Sequence, residues 1–394
     1  MTTFKKITSL MIALSLVLTM GLSVFAGGTV TGLSASISGN SVTVSGTTSN
    51  VKAAVFVQLC DGDSVLATAT IDTDSNGNFT GVLTPDSDTA LDCSKSYTVR
   101  AADTDGSNWV TTTPDVVAAV NGYSIWLDGY IRVNYHIRLD SSLKKTDTAV
   151  TFNLDSQVND LKTQTVTWSE DLKDGDDYVF SCKLAAAEMT LPITANITNG
   201  DLIIPLKTVT ARDIIRTYVN DNEEDKTSNL AKSLLNYGYY AQVKFNAGGD
   251  RFEEDKLTLV NPGRDRIDRL PDITGMTYYA SSVSFLSGFM IKHYYTVTGT
   301  NASFKIGDGE EQSLVPNGNY RCAVTGENSI LAANDSITIT ITCDGASATY
   351  SYSSLDYIAA VLANTTAKQD MKDLAMAYYM YYQAAAEMQT QPGN

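Results

Sequence analysis

An internal repeat is the feature of this sequence that most constrains its fold. Residues 123–388 carry one series of features twice: an alternating strand, a cysteine, a hydroxyl-x-x-Asp step and a tyrosine-rich helix pattern. The matched pairs and their offsets are Cys182 and Cys322 at 140, Asp213 and Asp356 at 143, and Tyr237 and Tyr381 at 144. Internal similarity at a nearly fixed period indicates repeated structural units. We therefore predict two tandem, duplicated β-rich units, each closed by two helices.

The residues before the repeat predict an all-β domain. Short segments rich in β-branched and apolar residues alternate there with Gly, Asp, Asn and Ser turns. The five predicted strands are 41–45, 52–60, 64–71, 78–83 and 96–102. Short strands at this spacing are typical of an Ig-like β-sandwich. The predicted fold class is mainly β with α, organised as a signal peptide at 1–26, the Ig-like sandwich at 27–120, copy 1 at 121–247, a linker at 248–275 and copy 2 at 276–390.

The N-terminus predicts export. Lys5 and Lys6 precede an apolar run that Ser, Thr and Gly interrupt and that ends at Ala26. A basic start, an apolar stretch and a small final residue form a secretory signal peptide, and a membrane anchor is the alternative. We expect a secreted protein, associated with the cell surface or released, with no membrane contact after cleavage.

The charge of the chain argues against two classes of partner. With 44 acidic and 28 basic residues, the formal net charge is −16. A surface this acidic repels nucleic acid and anionic lipid. We expect no nucleic-acid partner.

Five cysteines in an exported chain are an odd number. Cys60 and Cys93 share the first domain, and Cys322 and Cys343 share the last, so each pair is a candidate disulfide. Cys182 would then be unpaired and buried. Spacing alone does not decide between bonded and free thiols.

Two hydroxyl-x-x-Asp steps have a structural interpretation. Thr210 and Ser353 each lie three residues before an aspartate, Asp213 and Asp356, at the start of an apolar run. Such a hydroxyl can accept from an unpaired N–H of the first helical turn, and the helix dipole favours the acid there. We expect both aspartates to cap helices.

Catalytic and metal-binding signals are weak in this sequence. The two histidines, His136 and His293, have no neighbours in a triad-like or metal-like pattern. Asp72, Asp74 and Asn76 match the first half of a calcium loop, but its twelfth position is Leu83 instead of glutamate. A polar hairpin turn is the favoured interpretation. We expect no enzyme activity and no cofactor.

Aromatic residues are the best indication of function. The chain has 21 tyrosines, and several lie near the ends of the two equivalent helix patterns. Flat amphipathic rings can bind sugar faces or protein surfaces, whereas rings at helical spacing can equally form a core. Because consecutive tyrosines point in different directions, we expect some to be exposed. The candidate ligand-binding residues are Tyr237, Tyr239, Tyr240, Tyr378, Tyr381, Tyr382 and Trp126.

Three segments carry a resemblance to a known module. They are Leu-Leu-Asn-Tyr-Gly-Tyr-Tyr-Ala-Gln at 234–242, the stretch 178–189 and the stretch 127–134. The region from Gly122 onward resembles an uncharacterised C-terminal module of large secreted or surface proteins of anaerobic Gram-positive bacteria. The resemblance implies an accessory to Ig-like domains and brings no catalytic residues.

We expect a secreted, non-enzymatic binding or adhesion protein whose partner is an extracellular glycan, another surface polymer or a cell-surface protein. Two equivalent sites would bind by avidity. Two alternatives stay open: a structural surface or matrix component that binds protein partners, and a secreted glycoside hydrolase built on a carboxylate pair.

Overall fold

The computed structural model describes residues 28–51, 53–85, 91, 95–103, 108–247, 249–264, 269–285, 289–326 and 329–389. The predicted signal peptide and Cys93 lie outside the described residues. The described chain is mainly β with a few helices, which confirms the predicted class. Across these described ranges, every helix is too short or too polar to cross a membrane.

The described residues form two compact units. Those in 28–37, 41–85 and 95–115 belong to the first unit, and those in 38–40, at 91 and in 116–389 belong to the second. Both copies of the predicted repeat therefore lie within one compact unit.

The first unit is a β-sandwich of two sheets, with strand orders β1-β2-β5 and β4-β3-β6-β7. Its strands are β1 (Val30–Ser38), β2 (Ser41–Thr48), β3 (Ala54–Asp61), β4 (Ser64–Asp72), β5 (Asn78–Leu83), β6 (Tyr97–Asp103) and β7 (Val110–Thr112). Alternate residues such as Val42, Val44, Val55 and Val57 are fully buried, since successive strand residues face opposite sides. The five predicted strands correspond to β2 to β6. β1 and β7 were not predicted, because β1 is rich in small polar residues and β7 has only three residues.

The second unit begins with eight strands and two helices. These are β8 (Asp115–Leu127), β9 (Ile131–Leu139), β10 (Thr148–Asn153), β11 (Thr163–Thr167), β12 (Lys173–Asp174), β13 (Asp177–Leu184), β14 (Thr194–Asn199), β15 (Leu202–Pro205), α1 (Ala211–Arg216) and α2 (Lys226–Phe245). Single helical turns lie at Ser141–Leu143, Asn159–Lys162, Glu170–Leu172 and Ala186–Glu188. The strands pair in the orders β12-β13-β9-β8 and β11-β10-β14-β15.

Eight strands and two helices follow again in the rest of the second unit. These are β16 (Met276–Val283), β17 (Ile291–Val297), β18 (Ala302–Ile306), β19 (Gln312–Ser313), β20 (Val315–Asn317), β21 (Tyr320–Val324), β22 (Ile337–Cys343), β23 (Ala346–Tyr352), α3 (Ser354–Ala363) and α4 (Gln369–Gln389). Their sheets have the orders β20-β21-β17-β16 and β19-β18-β22-β23. Each strand from β16 to β23 thus occupies the same place in its sheet as the strand whose number is eight lower; β21, for example, matches β13.

One core joins the two halves of the second unit. Its buried residues include Tyr135 and Leu184 from the first half and Tyr352 and Leu374 from the second. Helices α2 and α4 pack together across this core through aromatic rings. Burying apolar surface on both helix faces stabilises them jointly.

The segment predicted to be a linker is irregular but packed. The turn Glu253–Asp255 is fixed by Arg212, whose Nε donates to Asp255 Oδ2 at 2.6 Å. Leu257, two residues after this turn, donates its N–H to Asn236 Oδ1 at 2.8 Å. Leu270 is buried in the shared core. We call residues 249–264 the strap.

Both predicted helix caps form. The Thr210 hydroxyl accepts from the N–H of Asp213 at 3.0 Å, and that of Ser353 accepts from the N–H of Asp356 at 3.2 Å. Asp356 also accepts from the backbone N–H of Ser353, which completes a capping box. The two aspartates have the structural role expected of them.

The candidate disulfide between Cys322 and Cys343 is not formed, and Cys60, Cys182, Cys322 and Cys343 are all buried free thiols. Cys343 lies in the core between the sheets of the second half, whereas Cys322 pairs with Tyr294 on the opposite face of its sheet. Cys182 faces the core beside Val133, whereas on β21 the core-facing residue is Ala323, next to Cys322. Cys182 and Cys322 thus face opposite sides of their sheets, so they do not occupy matching positions.

Candidate functional site

Three of the candidate tyrosines belong to the core. Tyr237, Tyr378 and Tyr381 are 1%, 0% and 3% exposed. Tyr237 stacks on Tyr381 with ring centroids 5.6 Å apart and meets Tyr378 edge-on at 5.8 Å. Burial raises the pKa of the Tyr237 hydroxyl well above its ordinary value. These rings join helices α2 and α4, and the prediction that they bind a ligand is not kept.

The other three candidate tyrosines are partly covered and hold local structure. Tyr239 is 8% exposed, and its hydroxyl donates to Glu253 of the strap at 2.5 Å. Tyr240 meets Tyr239 edge-on at 5.3 Å, and Tyr382 lies 6.3 Å from Tyr379. The six helix tyrosines therefore form no flat exposed surface.

A small cavity adjoins the tyrosines of the core. It measures about 20 Å³ and is lined by Tyr237, Tyr381, Phe285 and Phe289, among others. That volume suffices for about one water molecule. The cavity is too small for a sugar ring.

The predicted metal loop is a tight polar turn. Asp74 Oδ1 accepts from the backbone N–H groups of Asn76 and Asn78, and Oδ2 accepts from the Asn78 amide, each at 2.8 Å. The Asn78 side chain first, then these backbone bonds, lower the pKa of Asp74. The turn links β4 and β5, which belong to different sheets, so it is not the predicted hairpin. Asp74 thus serves the turn itself, and the described residues contain no cluster of metal-binding groups.

Trp126 is the one candidate residue that is well exposed. Its side chain is 56% exposed on β8, opposite Arg132 on β9, which in turn lies opposite Lys183 on β13. Arg132 Nε donates to both carboxylate oxygens of Asp128 at 2.7 Å. Lys183 Nζ lies 5.3 Å from the centroid of the Tyr130 ring. We call Trp126, Arg132, Lys183, Asp128 and Tyr130 the tryptophan row.

A polar ladder supports the strands of the tryptophan row. Asn134 is fully buried, and its amide donates to Ser124 Oγ at 3.2 Å while accepting from Ser181 Oγ at 2.6 Å. Ser124 also bonds His136 Nε2 at 2.9 Å. These bonds cross β8, β9 and β13 on the same face, two residues along each strand from the tryptophan row, and they tie the three strands together.

A second exposed aromatic surface lies on the equivalent sheet of the second half. Tyr279 is 61% exposed and stacks on Tyr320 with centroids 4.2 Å apart and planes 19° apart. Tyr294 meets Tyr320 edge-on at 6.4 Å and bonds Ser282 Oγ at 3.0 Å. Val315, on the neighbouring strand, is 50% exposed. We call Tyr279, Tyr294, Tyr320 and Val315 the tyrosine surface.

A β-bulge places Tyr279 outward. The pairing of β16 with β17 shifts between Tyr278 and Ala280, and Tyr279 is the unpaired residue. A bulge of this kind re-aims a side chain. The side chain of Tyr279 raises the pKa of Tyr320 above its ordinary value, which is consistent with the close stacking of the two rings.

Sequence reasoning missed the tyrosine surface although a signal was present. Tyr278 and Tyr279 are consecutive on one strand, as are Tyr294 and Tyr295 on the next. Successive strand residues face opposite sides, so one ring of each pair must point outward. Tyr295 is fully buried, and the outward rings are Tyr279 and Tyr294.

No family model and no curated protein matches the chain. Among solved structures, it is similar to a biofilm-associated protein (BSP domain) at 16% identity, over 46% of this chain and 29% of that chain, with a TM-score of 0.19. It is similar to the FN1–FN3 domains of chicken CNTN1 at 10% identity, over 83% and 99% of the two chains, with a TM-score of 0.16. A three-Ig segment of titin gives 10% identity, 84% and 98% coverage and a TM-score of 0.17. The chain spans under a third of the biofilm-associated structure, and TM-scores this low carry no inference about this chain.

Proposed function

We propose that this chain is an exported, non-enzymatic binding protein whose exposed aromatic surfaces engage a glycan or another extracellular polymer. Export rests on the basic and apolar N-terminal segment ending at Ala26. The resemblance of residues 122 onward to a module of secreted and surface proteins supports the same location.

We further propose that the two halves of the second unit are copies of one ancestral unit. Their strands and helices follow the same order and occupy the same places in their sheets. The copies have since diverged: the outer face of one sheet carries the tryptophan row, and the outer face of the other carries the tyrosine surface. The two surfaces therefore lie on the outer faces of equivalent sheets, at different positions along the strands, and differ in chemistry.

The stacked pair of Tyr279 and Tyr320 is the observation that carries the proposed function. Tyr279 is 61% exposed and Val315 of the same surface is 50% exposed, and a group of exposed apolar side chains on one face is typical of an interaction site. Stacking holds the Tyr279 ring in place before a ligand arrives, which reduces the entropy lost on binding. A flat, fixed ring with a hydroxyl at its edge suits the apolar face and the hydroxyl groups of a sugar.

A polysaccharide panel tests this function with the full mature chain. Binding would be measured by affinity electrophoresis and calorimetry for wild type, Tyr279→Ala and Tyr279→Trp. We expect Tyr279→Ala to weaken binding at least about tenfold and Tyr279→Trp to retain it.

Tyr218→Ala is the matched control, since Tyr218 is also exposed, at 39%, but lies between α1 and α2. Equal affinity for wild type and Tyr279→Ala would contradict the assignment of the tyrosine surface. Capture of a protein partner without any polysaccharide binding would favour the alternative of a structural surface component.

A further inference from the structure

We propose that the tryptophan row is a subsite for an acidic saccharide, one whose sugar rings carry carboxylate groups. This inference rests on the proposed function and specifies the ligand chemistry of its first site. The row combines an exposed indole with two cations on adjacent strands.

The geometry of the row suits a sugar ring next to an anion. Trp126, Arg132 and Lys183 stand opposite one another on three hydrogen-bonded strands, so they form a line across the sheet. Neighbouring strands lie about 4.8 Å apart, so the line is about 10 Å long. A pyranose ring packed on the indole would place a ring carboxylate over the guanidinium or the ammonium group.

The charges of the row favour an anion. Arg132 pairs with the carboxylate of Asp128, and no salt bridge in the described part of the chain joins another carboxylate to Arg132 or any carboxylate to Lys183. Asp128 occupies the Nε edge of the guanidinium, which leaves its terminal amino groups for a carboxylate ligand. Planar guanidinium groups bind carboxylates through paired N–H donors.

The acidic character of the whole chain does not cancel this local field. At physiological ionic strength, charges are screened beyond about 8 Å. The two cations of the row act within that distance on a bound carboxylate, whereas most of the 44 acidic residues lie in other parts of the chain. Short-range pairing therefore outweighs the distant repulsion.

The row is also fixed before a ligand binds. Asp128 orients Arg132, the Tyr130 ring contacts the Lys183 ammonium group, and the buried Asn134 ladder connects the three strands beside the row, on the same face of the sheet. Cation–π contact and charge-assisted hydrogen bonding both restrict these long side chains. The outer faces of β16 and β17 carry no tryptophan among the described residues; Lys292, the cation there, pairs with Ser282.

The test uses uronate oligomers and the same oligomers after reduction of their carboxylates to primary alcohols. Affinities for the full mature chain would be measured by calorimetry for wild type, Trp126→Ala, Arg132→Lys and Lys183→Gln. We expect wild type to prefer the uronates at least about tenfold. Trp126→Ala should weaken both ligand forms, whereas Lys183→Gln and Arg132→Lys should reduce mainly the preference for the carboxylated form.

The failures of the two proposals are distinguishable. Suppose that Tyr279→Ala lowers the affinity for a polysaccharide and Trp126→Ala leaves it unchanged. The proposed function then stands, and the acidic subsite is overturned. If reduced and unreduced oligomers bind equally, or if double-stranded DNA binds the row as tightly, the assignment to acidic sugars is also overturned. Absence of all saccharide binding overturns both proposals. Tyr218→Ala, whose thermal stability should be unchanged, is the control for folding.

Discussion

Tyr237 of α2 and Tyr381 of α4 stack nearly parallel, with an angle of 12° between their planes and 5.6 Å between their centroids. Phe285, Phe289 and Tyr378 pack around the pair. The two rings come from opposite halves of the second unit. Their contact is part of what joins those halves in one core.

Removal of the Tyr237 ring should destabilise the second unit strongly. Truncation of a large buried aromatic residue costs about 3–5 kcal/mol, because apolar contacts are lost and a cavity remains. We expect Tyr237→Ala to lower the free energy of unfolding by that amount, measured by urea denaturation. Tyr218→Ala, which removes an exposed ring, should change it by less than about 0.5 kcal/mol.

Removal of only the Tyr237 hydroxyl should raise the free energy of unfolding or leave it unchanged. The hydroxyl is buried and has no hydrogen-bond partner among the described residues, and the same holds for Tyr378. An unpaired buried hydroxyl carries a desolvation cost of about 1–3 kcal/mol. Tyr237→Phe and Tyr378→Phe should therefore match or exceed wild type in urea denaturation, and a loss comparable to Tyr237→Ala would contradict this account.

Stability should fall with acid because of His293. Burial lowers the pKa of His293 to about 3, and its Nδ1 bonds only Ser281 Oγ while Tyr350 and Tyr352 pack edge-on against the ring. The unfolded chain binds a proton below about pH 6.5 and the folded chain does not until about pH 3. The contribution of His293 is thus intact above pH 6.5 and is lost as pH falls from 6.5 towards 3, with a slope of about 1.4 kcal/mol per pH unit.

Urea denaturation across pH 7.5 to 4 of wild type and His293→Gln measures this slope as the difference between the two curves. His136→Gln controls for loss of an imidazole elsewhere, at a partly exposed position on β9. A pH-independent difference between wild type and His293→Gln would show that His293 is not responsible.

The ion pair of Arg212 and Asp255 should hold the strap in place. Both side chains are almost buried, at 9% and 6% exposure, so loss of Asp255 leaves the Arg212 charge with the more exposed Glu254 as its one remaining close partner. We expect Asp255→Asn to cost about 3 kcal/mol, the lower end of the range for breaking a buried pair, and to increase proteolytic cleavage within residues 249–264. Lys173→Gln breaks the exposed pair of Lys173 with Glu170, at 51% and 63% exposure, and should have almost no effect.

The buried thiols should be unreactive in the native protein. Burial raises the pKa of Cys182 to about 12, and alkylation requires the thiolate. Mass spectrometry after iodoacetamide treatment should show no modification of Cys182 or Cys343 until the chain is denatured. An added cysteine at exposed position 313, in Ser313→Cys, should react at once and so validates the assay.

The sequence was most informative where a local pattern decides the structure. Alternation and turn residues predicted the strands from β2 to β6, and the spacing of Thr210 and Ser353 to their aspartates predicted two helix caps. The helix caps depend on hydrogen bonds between residues a few positions apart, and the strands depend on the alternation of apolar and polar residues. No distant contact is needed to specify them.

The candidate site was predicted less well because it depends on tertiary contacts. Helical spacing does not distinguish a tyrosine that faces solvent from one that faces another helix, so Tyr237, Tyr378 and Tyr381 were placed in the wrong environment. The consecutive tyrosines of β16 and β17 indicate that one ring of each pair faces outward, but which ring does so depends on the strand register and on the bulge at Tyr279. Only Trp126 was placed correctly as an exposed ring.

The packing of α4 against α2 has a consequence for biosynthesis. Until residues 369–389 have been made, the buried face of α2 has no partner, and Tyr237 must stay in water or in a transient contact. The first half of the second unit therefore waits, incompletely folded and prone to aggregation, for a segment translated more than a hundred residues later. A chain truncated before α4 should be cleared by proteases instead of accumulating as a smaller stable domain.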